Sequence, residues 1–277
     1  HHRVRWVGEG KLGGVNAALA LAALYCAFQA ATLTLVSWLA GTATTIDDAE
    51  QLIYVPYLWA GYGGSQPPLF TWIFWGFAQV LGPKLLTLKI IKYLLLFLTF
   101  FSVHRTLTLL GFSLLTASAG ALGLMTMPQI FWESQHTLTH SVAALAFSAL
   151  AVLALVNLVT KRTIAAYVLF GLAAALSMLS KFNDSIFMIA ILLAAISIPA
   201  YRPVILNRRF LISLAATLVA LLPTIIWSIS NIDAVLARTR KLGIAAVGGF
   251  LEIRTHGLAQ LIESVLNFTA MTLVIAA

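Results

Sequence analysis

Charge is what this sequence has least of. Only 9% of its residues are Asp, Glu, Lys or Arg and 61% are hydrophobic, against about 25% and 45–50% in soluble globular domains. That composition excludes a soluble globular fold. Carboxylates are the scarcer sign, nine Asp plus Glu against 17 Lys plus Arg, for a net charge of +8. There is a single cysteine, Cys26, so no intrachain disulfide is available and cysteine usage does not report the compartment. Cys26 lies in the first apolar run and reads as a packing residue. No Walker motif, no Rossmann glycine fingerprint and no soluble nucleotide-sugar site is present, and no nucleic-acid partner is expected. No strand-length alternation competes with the apolar runs, several of which reach the roughly 20 residues a helix needs to cross the hydrocarbon core. The expected fold is therefore all-α, a polytopic transmembrane helical bundle.

The candidate spans are about 15–40, 87–109, 113–130, 138–159, 162–180, 183–200, 209–229 and 258–277. The first is too long for the core of a signal peptide and reads as a retained span. The chain begins "HHRVRW" without Met and stops at "FTAMTLVIAA" in mid-run, and a native C-terminal part is expected to be missing. With the N-terminus cytoplasmic, the inside segments collect Arg3, Arg5, Lys11, Arg105, Lys161, Arg162, Arg202, Arg208 and Arg209 against the single acid Glu9. That satisfies the positive-inside rule. The segments of about 41–86 and 231–257 then become extracytoplasmic loops of a single domain spanning 1–277.

The first of these loops is unusual. "DDAEQ" at 47–51 places three carboxylates within four positions just after a long apolar run, and aromatics, glycines and Pro67-Pro68 follow. "PPLFTWIFWGFAQVLG" at 67–82 is apolar but short for a span. Its prolines suit a helix start and Gly82-Pro83 a stop, and Trp72 and Trp75 suit the membrane interface. "DDAEQLIYVPYLWAGYG" reads as another short interfacial helix that ends at a glycine-rich turn. Lys84, Lys89, Lys92, Lys181, Arg238, Arg240, Lys241 and Arg254 fall on the same outer side, where cations are costly unless something anionic meets them. They point to a phosphate-bearing lipid, or simply snorkel to the interface.

Taken together, "DDAEQ", "GYGGSQPPLFTW" at 61–72, "PQIFWESQHTLTHS" at 128–141 and "LSKFN" at 179–183 resemble the family 39 glycosyltransferases of the GT-C class. That family includes protein O-mannosyltransferases and the aminoarabinose transferase of lipid A. The motifs look most like the bacterial branch that decorates lipopolysaccharide from polyprenyl-phosphate sugars, including rhizobial galacturonic acid transferases. The resemblance implies a bundle with juxtamembrane helices in the first external loop. It also implies transfer of a sugar, with inversion, from a polyprenyl-phosphate donor to a lipid A or lipopolysaccharide-core acceptor at the outer face of the bacterial inner membrane. The family's acidic pair falls on Asp47 and Asp48, its Pro-Pro motif on Pro67 and Pro68, and its phosphate-proximal lysine on Lys181. Ser65 and Gln66 stand where aminoarabinose-type relatives have a zinc-ligating Glu and a phosphate-binding Lys, so their zinc site is not implied here. His140 stands near the position of an Asp in many relatives.

Inverting transfer needs a base for the acceptor hydroxyl and a group to stabilise the departing phosphate. Adjacent residues on a helix point about 100° apart, so one of Asp47 and Asp48 is expected to be catalytic and the other structural, with Asp47 favoured by the resemblance. The bland alternative is that the pair only caps the helix. Lys181, Lys84, Lys89 and Lys92 are the candidates for holding the donor phosphate, Lys89 and Lys92 sharing a helix face. Glu50, Gln66, Glu133, His136, His140, Arg238, Arg240 and Lys241 are the candidates for acceptor or sugar binding. No cofactor is fixed by the sequence. Glu133, His136 and His140 are spaced i, i+3 and i+7, and on one continuous helix could hold a divalent metal, bind sugar, or make ordinary interhelical contacts. The rival reading is a transporter or flippase of a phosphate-bearing lipid, which predicts internal repeats and paired broken helices; the sequence has neither.

Overall fold

The computed structural model of the chain describes residues 11–12, 15–40, 45–63, 66–134, 138–235 and 250–276. A two-residue ladder pairs Lys11–Leu12 with Val15–Asn16, and all other regular structure among the described residues is helical. The helices are α1 (Ala17–Ala40), α2 (Ile46–Tyr54), α3 (Leu69–Leu81), α4 (Leu85–Leu109), α5 (Leu114–Gly123), α6 (Thr139–Lys161), α7 (Ile164–Ser180), α8 (Asp184–Ser197), α9 (Arg202–Ile205), α10 (Phe210–Ser230) and α11 (Phe250–Ala276). The all-α helical bundle expected from composition is what forms. Helices α1, α4, α6 and α10 are long and apolar enough to cross a membrane, while α3, α7 and α8 are apolar helices of 10–17 residues.

Local chemistry explains where the elements stop. Pro68 caps α3 and Gly82, at φ 80°, ends it, a left-handed region that costs glycine little. The aromatic loop helix is shorter than expected. It ends at Tyr54 because Pro56 has no N–H to continue the ladder, and residues 57–63 run on without helix. The expected span at 113–130 is likewise interrupted. After a 3₁₀ turn at Leu124–Thr126, Met127 is extended (φ −81°, ψ 124°) ahead of Pro128, which opens a π-turn at Gln129–Glu133. A residue before proline is pushed out of the helical region in this way.

The main helix pairings are α6 with α7, α4 with α6, α7 with α10, and α1 with α4. They bury two apolar clusters. One centres on Phe70, Phe74, Leu88, Ile91 and Phe100, and the other on Tyr167, Phe170, Met188 and Phe210. Large side chains such as Phe28, Trp38, Leu218 and Ile226 point outward, as expected where lipid is the solvent. Small residues bring α7 and α10 together. Ser213 Oγ donates to Tyr167 O at 2.7 Å and Thr217 Oγ1 to Gly171 O at 2.9 Å, and a Cβ on Gly171 would lie 2.3 Å from Ser213 O. Close backbone approach at small residues is how helices associate without a hydrophobic drive from water.

Candidate active site

The acidic motif is the first turn of α2. Its cap is Thr45, whose hydroxyl accepts from Asp48 N at 3.2 Å, so the carboxylates are released from capping. The two diverge. Asp48 turns inward, 1% exposed, and accepts from Lys89 Nζ on α4 at 3.0 Å. Lys89 is 5% exposed and Lys92, one turn further along α4, is 1% exposed. Lys92 interacts electrostatically with Lys89, Asp48 and Asp47. Buried charges persist only when paired or solvated by protein dipoles, and Asp48 and Lys89 form such a pair. Asp47 instead stays half-buried, and its Oδ2 accepts from Leu138 N at 2.7 Å.

Leu138 is the N-cap of α6 and holds φ 70°, ψ 41°. A non-glycine residue there costs about 1–3 kcal/mol, and such strain gathers at functional sites. The first turn of α6 then acts as a junction. Leu138 N holds Asp47, His140 Nε2 meets Gln51 Nε2 at 3.0 Å, and Ser141 Oγ accepts from Lys181 Nζ at 3.0 Å. Thr71 Oγ1 on α3 donates to Gln51 Oε1 at 2.8 Å. With that oxygen engaged, Gln51 donates its amide hydrogen to His140, which places the proton of a neutral His140 on Nδ1. Phe70 lies beside the imidazole, with ring centroids 5.9 Å apart. The helix dipole adds a partial positive charge at this end of α6, which favours the Asp47 carboxylate.

Lys181 sits at the C-cap of α7, half-buried. It lines a cavity of about 540 Å³ with Ser141, Asn183, Asp184 and apolar residues of α4, α6 and α8. Asp184 Oδ2 accepts from Ser148 Oγ at 3.0 Å and Ser177 Oγ at 2.8 Å, so a carboxylate is anchored three residues from the lysine. A second cavity, of about 250 Å³, is walled by the glycine-rich loop, the Pro-Pro motif, Asn183 and the far end of α10. A narrow space lined by Glu50, Gln51, Gln66 and His140 adjoins it through Tyr62, Gln66 and Pro67. The aromatics of the loop at 57–63 pack on one another: Tyr57 stacks on Trp59 with centroids 4.7 Å apart, and Tyr62 Oη donates to Tyr57 O at 2.7 Å.

The sequence-derived candidates therefore divide. Asp47, Asp48, Lys89, Lys92, Glu50, Gln66, His140 and Lys181 gather around α2, the Pro-Pro turn and the α6 junction. Lys84 caps α4 from an exposed position and lines none of these three cavities. Glu133, exposed in the π-turn, and His140 in α6 do not share one continuous helix, because the left-handed Leu138 lies between them. Among the described residues no group of three or more His, Cys, Asp or Glu is placed to hold a metal ion. His136, Arg238, Arg240 and Lys241 lie outside the described residues. Gln51, Thr71, Ser141 and Asp184 were missed. Gln51 lies within the acidic motif at three residues from Asp48, and Asp184 follows Lys181 by three, so spacing alone offered a signal for both.

The lipopolysaccharide core galacturonosyltransferases RgtB and RgtA of Rhizobium johnstonii are each 31% identical to the chain, over 233 and 238 residues, 84% of its length in both cases. The alignments cover 47% and 46% of those proteins, so the chain spans about half the length of the curated relatives it matches. No solved structure matches. The family model described as dolichyl-phosphate-mannose-protein mannosyltransferase matches residues 65–227, from the residues before the Pro-Pro motif to Trp227. The chain belongs to that family of GT-C membrane glycosyltransferases.

Proposed function

We propose that the protein is an inverting glycosyltransferase that moves a sugar from a polyprenyl-phosphate donor to a lipid A or lipopolysaccharide-core hydroxyl. The reaction takes place at the extracytoplasmic face of the bacterial inner membrane, in a bundle of about eight spans. The observation that carries this reading is the α6 junction, where one helical turn holds the Asp47 carboxylate through Leu138 N and the Lys181 ammonium through Ser141. A base and a phosphate-compensating cation are thereby fixed relative to each other. The names of the two relatives support galacturonic acid as the sugar and the lipopolysaccharide core as the acceptor.

In the reaction, Asp47 takes the proton of the acceptor hydroxyl as its oxygen attacks the anomeric carbon. The carbon–oxygen bond to phosphate breaks on the opposite side, and polyprenyl phosphate leaves with the electron pair. Lys181 meets the charge that develops on the phosphate, electrostatic work done by a group already in place. Asp48 is the positioning residue, locking α2 to α4 through Lys89. Gln51 and His140 hold α2 against α3 and α6 and face the acceptor side with Glu50.

The test compares wild type with Asp47→Asn in transfer from undecaprenyl-phosphate galacturonate to a lipopolysaccharide-core acceptor, with products read by mass spectrometry. Loss of about 10²–10⁴-fold in rate with donor binding retained is the expected result for a general base. Normal transfer by Asp47→Asn would remove the base assignment. Movement of donor across the bilayer by wild type with no product formed would replace the transferase reading with a transporter.

A further inference from the structure

Residues of α10 that no part of the mechanism uses line the cavity of about 250 Å³ beside the Pro-Pro turn. Its functional walls are Tyr62, Gln66, Asn183, Thr224, Trp227 and Ser228. At about 30 Å³ of liquid per water, the space holds about eight waters, room enough for a monosaccharide ring. No side chain among its described lining residues is charged, and the three aromatics Tyr62, Phe182 and Trp227 with four neutral polar groups are the lining that a pyranose ring and its hydroxyls require.

Two of these polar groups are unsatisfied. Thr224 is 7% exposed, and its Oγ1 is buried with no hydrogen-bond partner among the described residues; Gln66 Oε1 is in the same state. Thr139 Oγ1 is orphaned in the same way, whereas other helical threonines are paired. Thr99, Thr106, Thr160 and Thr217 each donate to the carbonyl one turn back in their helices. A buried polar atom left unpaired is destabilising, so a ligand that pairs with it recovers that loss on binding. Position supports the same occupant. The cavity shares Asn183 with the Lys181 cavity, and Tyr62, Gln66 and Pro67 with the space lined by Glu50 and His140. It therefore lies between the candidate phosphate contact and the acceptor side.

We infer that this cavity is the donor-sugar subsite, in which Thr224 and Gln66 hydrogen-bond ring hydroxyls and Trp227 supports the ring. The inference rests on the transferase reading above, and deepens it by assigning recognition to hydroxyls that hexoses and hexuronates share. Its lining side chains select for a pyranose and leave a uronate carboxylate to other groups.

The experiment titrates the intact protein in nanodiscs with bare undecaprenyl phosphate and with its galactosyl and galacturonosyl conjugates. Wild type should bind both conjugates at least tenfold more tightly than the bare carrier. Thr224→Val and Gln66→Met, each close in shape to the original, should each remove about tenfold of that preference for both sugars, the scale of one lost hydrogen bond. Bare-carrier affinity should not change. The melting temperature of Thr224→Val should hold or rise, since an unpaired buried hydroxyl is removed. Equal affinity of wild type for bare and glycosylated carrier overturns the subsite whatever the transfer assay gives. Unchanged preference in both variants overturns it as well. Preference that is present in wild type and lost in the variants, alongside an absence of transfer, keeps the subsite and discards the transferase reading.

Discussion

The buried pair between Asp48 and Lys89 makes the sharpest stability prediction, because its two single deletions are unequal. At 3.0 Å, with both side chains almost fully enclosed, removing either partner strands a charge, at a cost of about 3–5 kcal/mol. Lys92 sets the asymmetry. In Lys89→Met the stranded Asp48 carboxylate still has Lys92 in its field, which places the loss near the lower bound of about 3 kcal/mol. In Asp48→Leu two buried lysines face each other with the paired carboxylate gone and Asp47 still acting on Lys92, and the loss moves toward about 5 kcal/mol. The double variant Asp48→Leu/Lys89→Met removes one cation with its anion, and should be more stable than Asp48→Leu alone. Unfolding by SDS titration in mixed micelles, followed by far-UV circular dichroism, measures all three against wild type. Transfer should fall in each, because α2 is no longer pinned where Asp47 meets Leu138 N. A Lys89→Met loss within about 0.5 kcal/mol, or single losses that simply add in the double variant, would refute the reasoning.

Other expectations follow from the same contacts. Gly171→Ala drives a Cβ to 2.3 Å from Ser213 O and should cost about 1–3 kcal/mol by parting α7 from α10. Gly123→Ala, where a Cβ meets nothing within 4 Å, should be stabilising by about 0.4–1 kcal/mol; the same titration reads both. Gly61→Ala places a Cβ 2.2 Å from the Trp227 ring and should raise the KM for donor through the displaced indole, visible as a shift in tryptophan emission. Gln51→Leu leaves Thr71 and His140 without their shared amide and should lower stability by about 1–3 kcal/mol. It should also weaken acceptor more than donor in steady-state kinetics. Lys181→Met should weaken bare undecaprenyl phosphate and its conjugates alike if the lysine holds the phosphate as proposed.

Much of the fold was legible because lipid is a simple solvent. The apolar run lengths that mark α1, α4, α6 and α10 are a property of the chain alone, as are the Pro68 start and Gly82 stop of α3. The motifs that carry the family are local too: the acidic loop, the Pro-Pro and Lys181 stand in one-dimensional register. Even the divergence of Asp47 and Asp48 follows from 100° of helical turn. Sequence could not say which of them is buried, because that depends on where α4 passes, 41 residues away, and on Lys89 reaching back to α2. The one-face spacing of Glu133 and His140 was broken for a related reason. Its spacing assumed one unbroken helix, and a single left-handed residue, Leu138, held in place by tertiary contacts, ended that assumption. The same residue offers its N–H to Asp47. Helical periodicity is written in neighbours a few positions apart, whereas the site is an agreement among α2, α3, α4, α6 and α7, whose packing decides which polar groups meet.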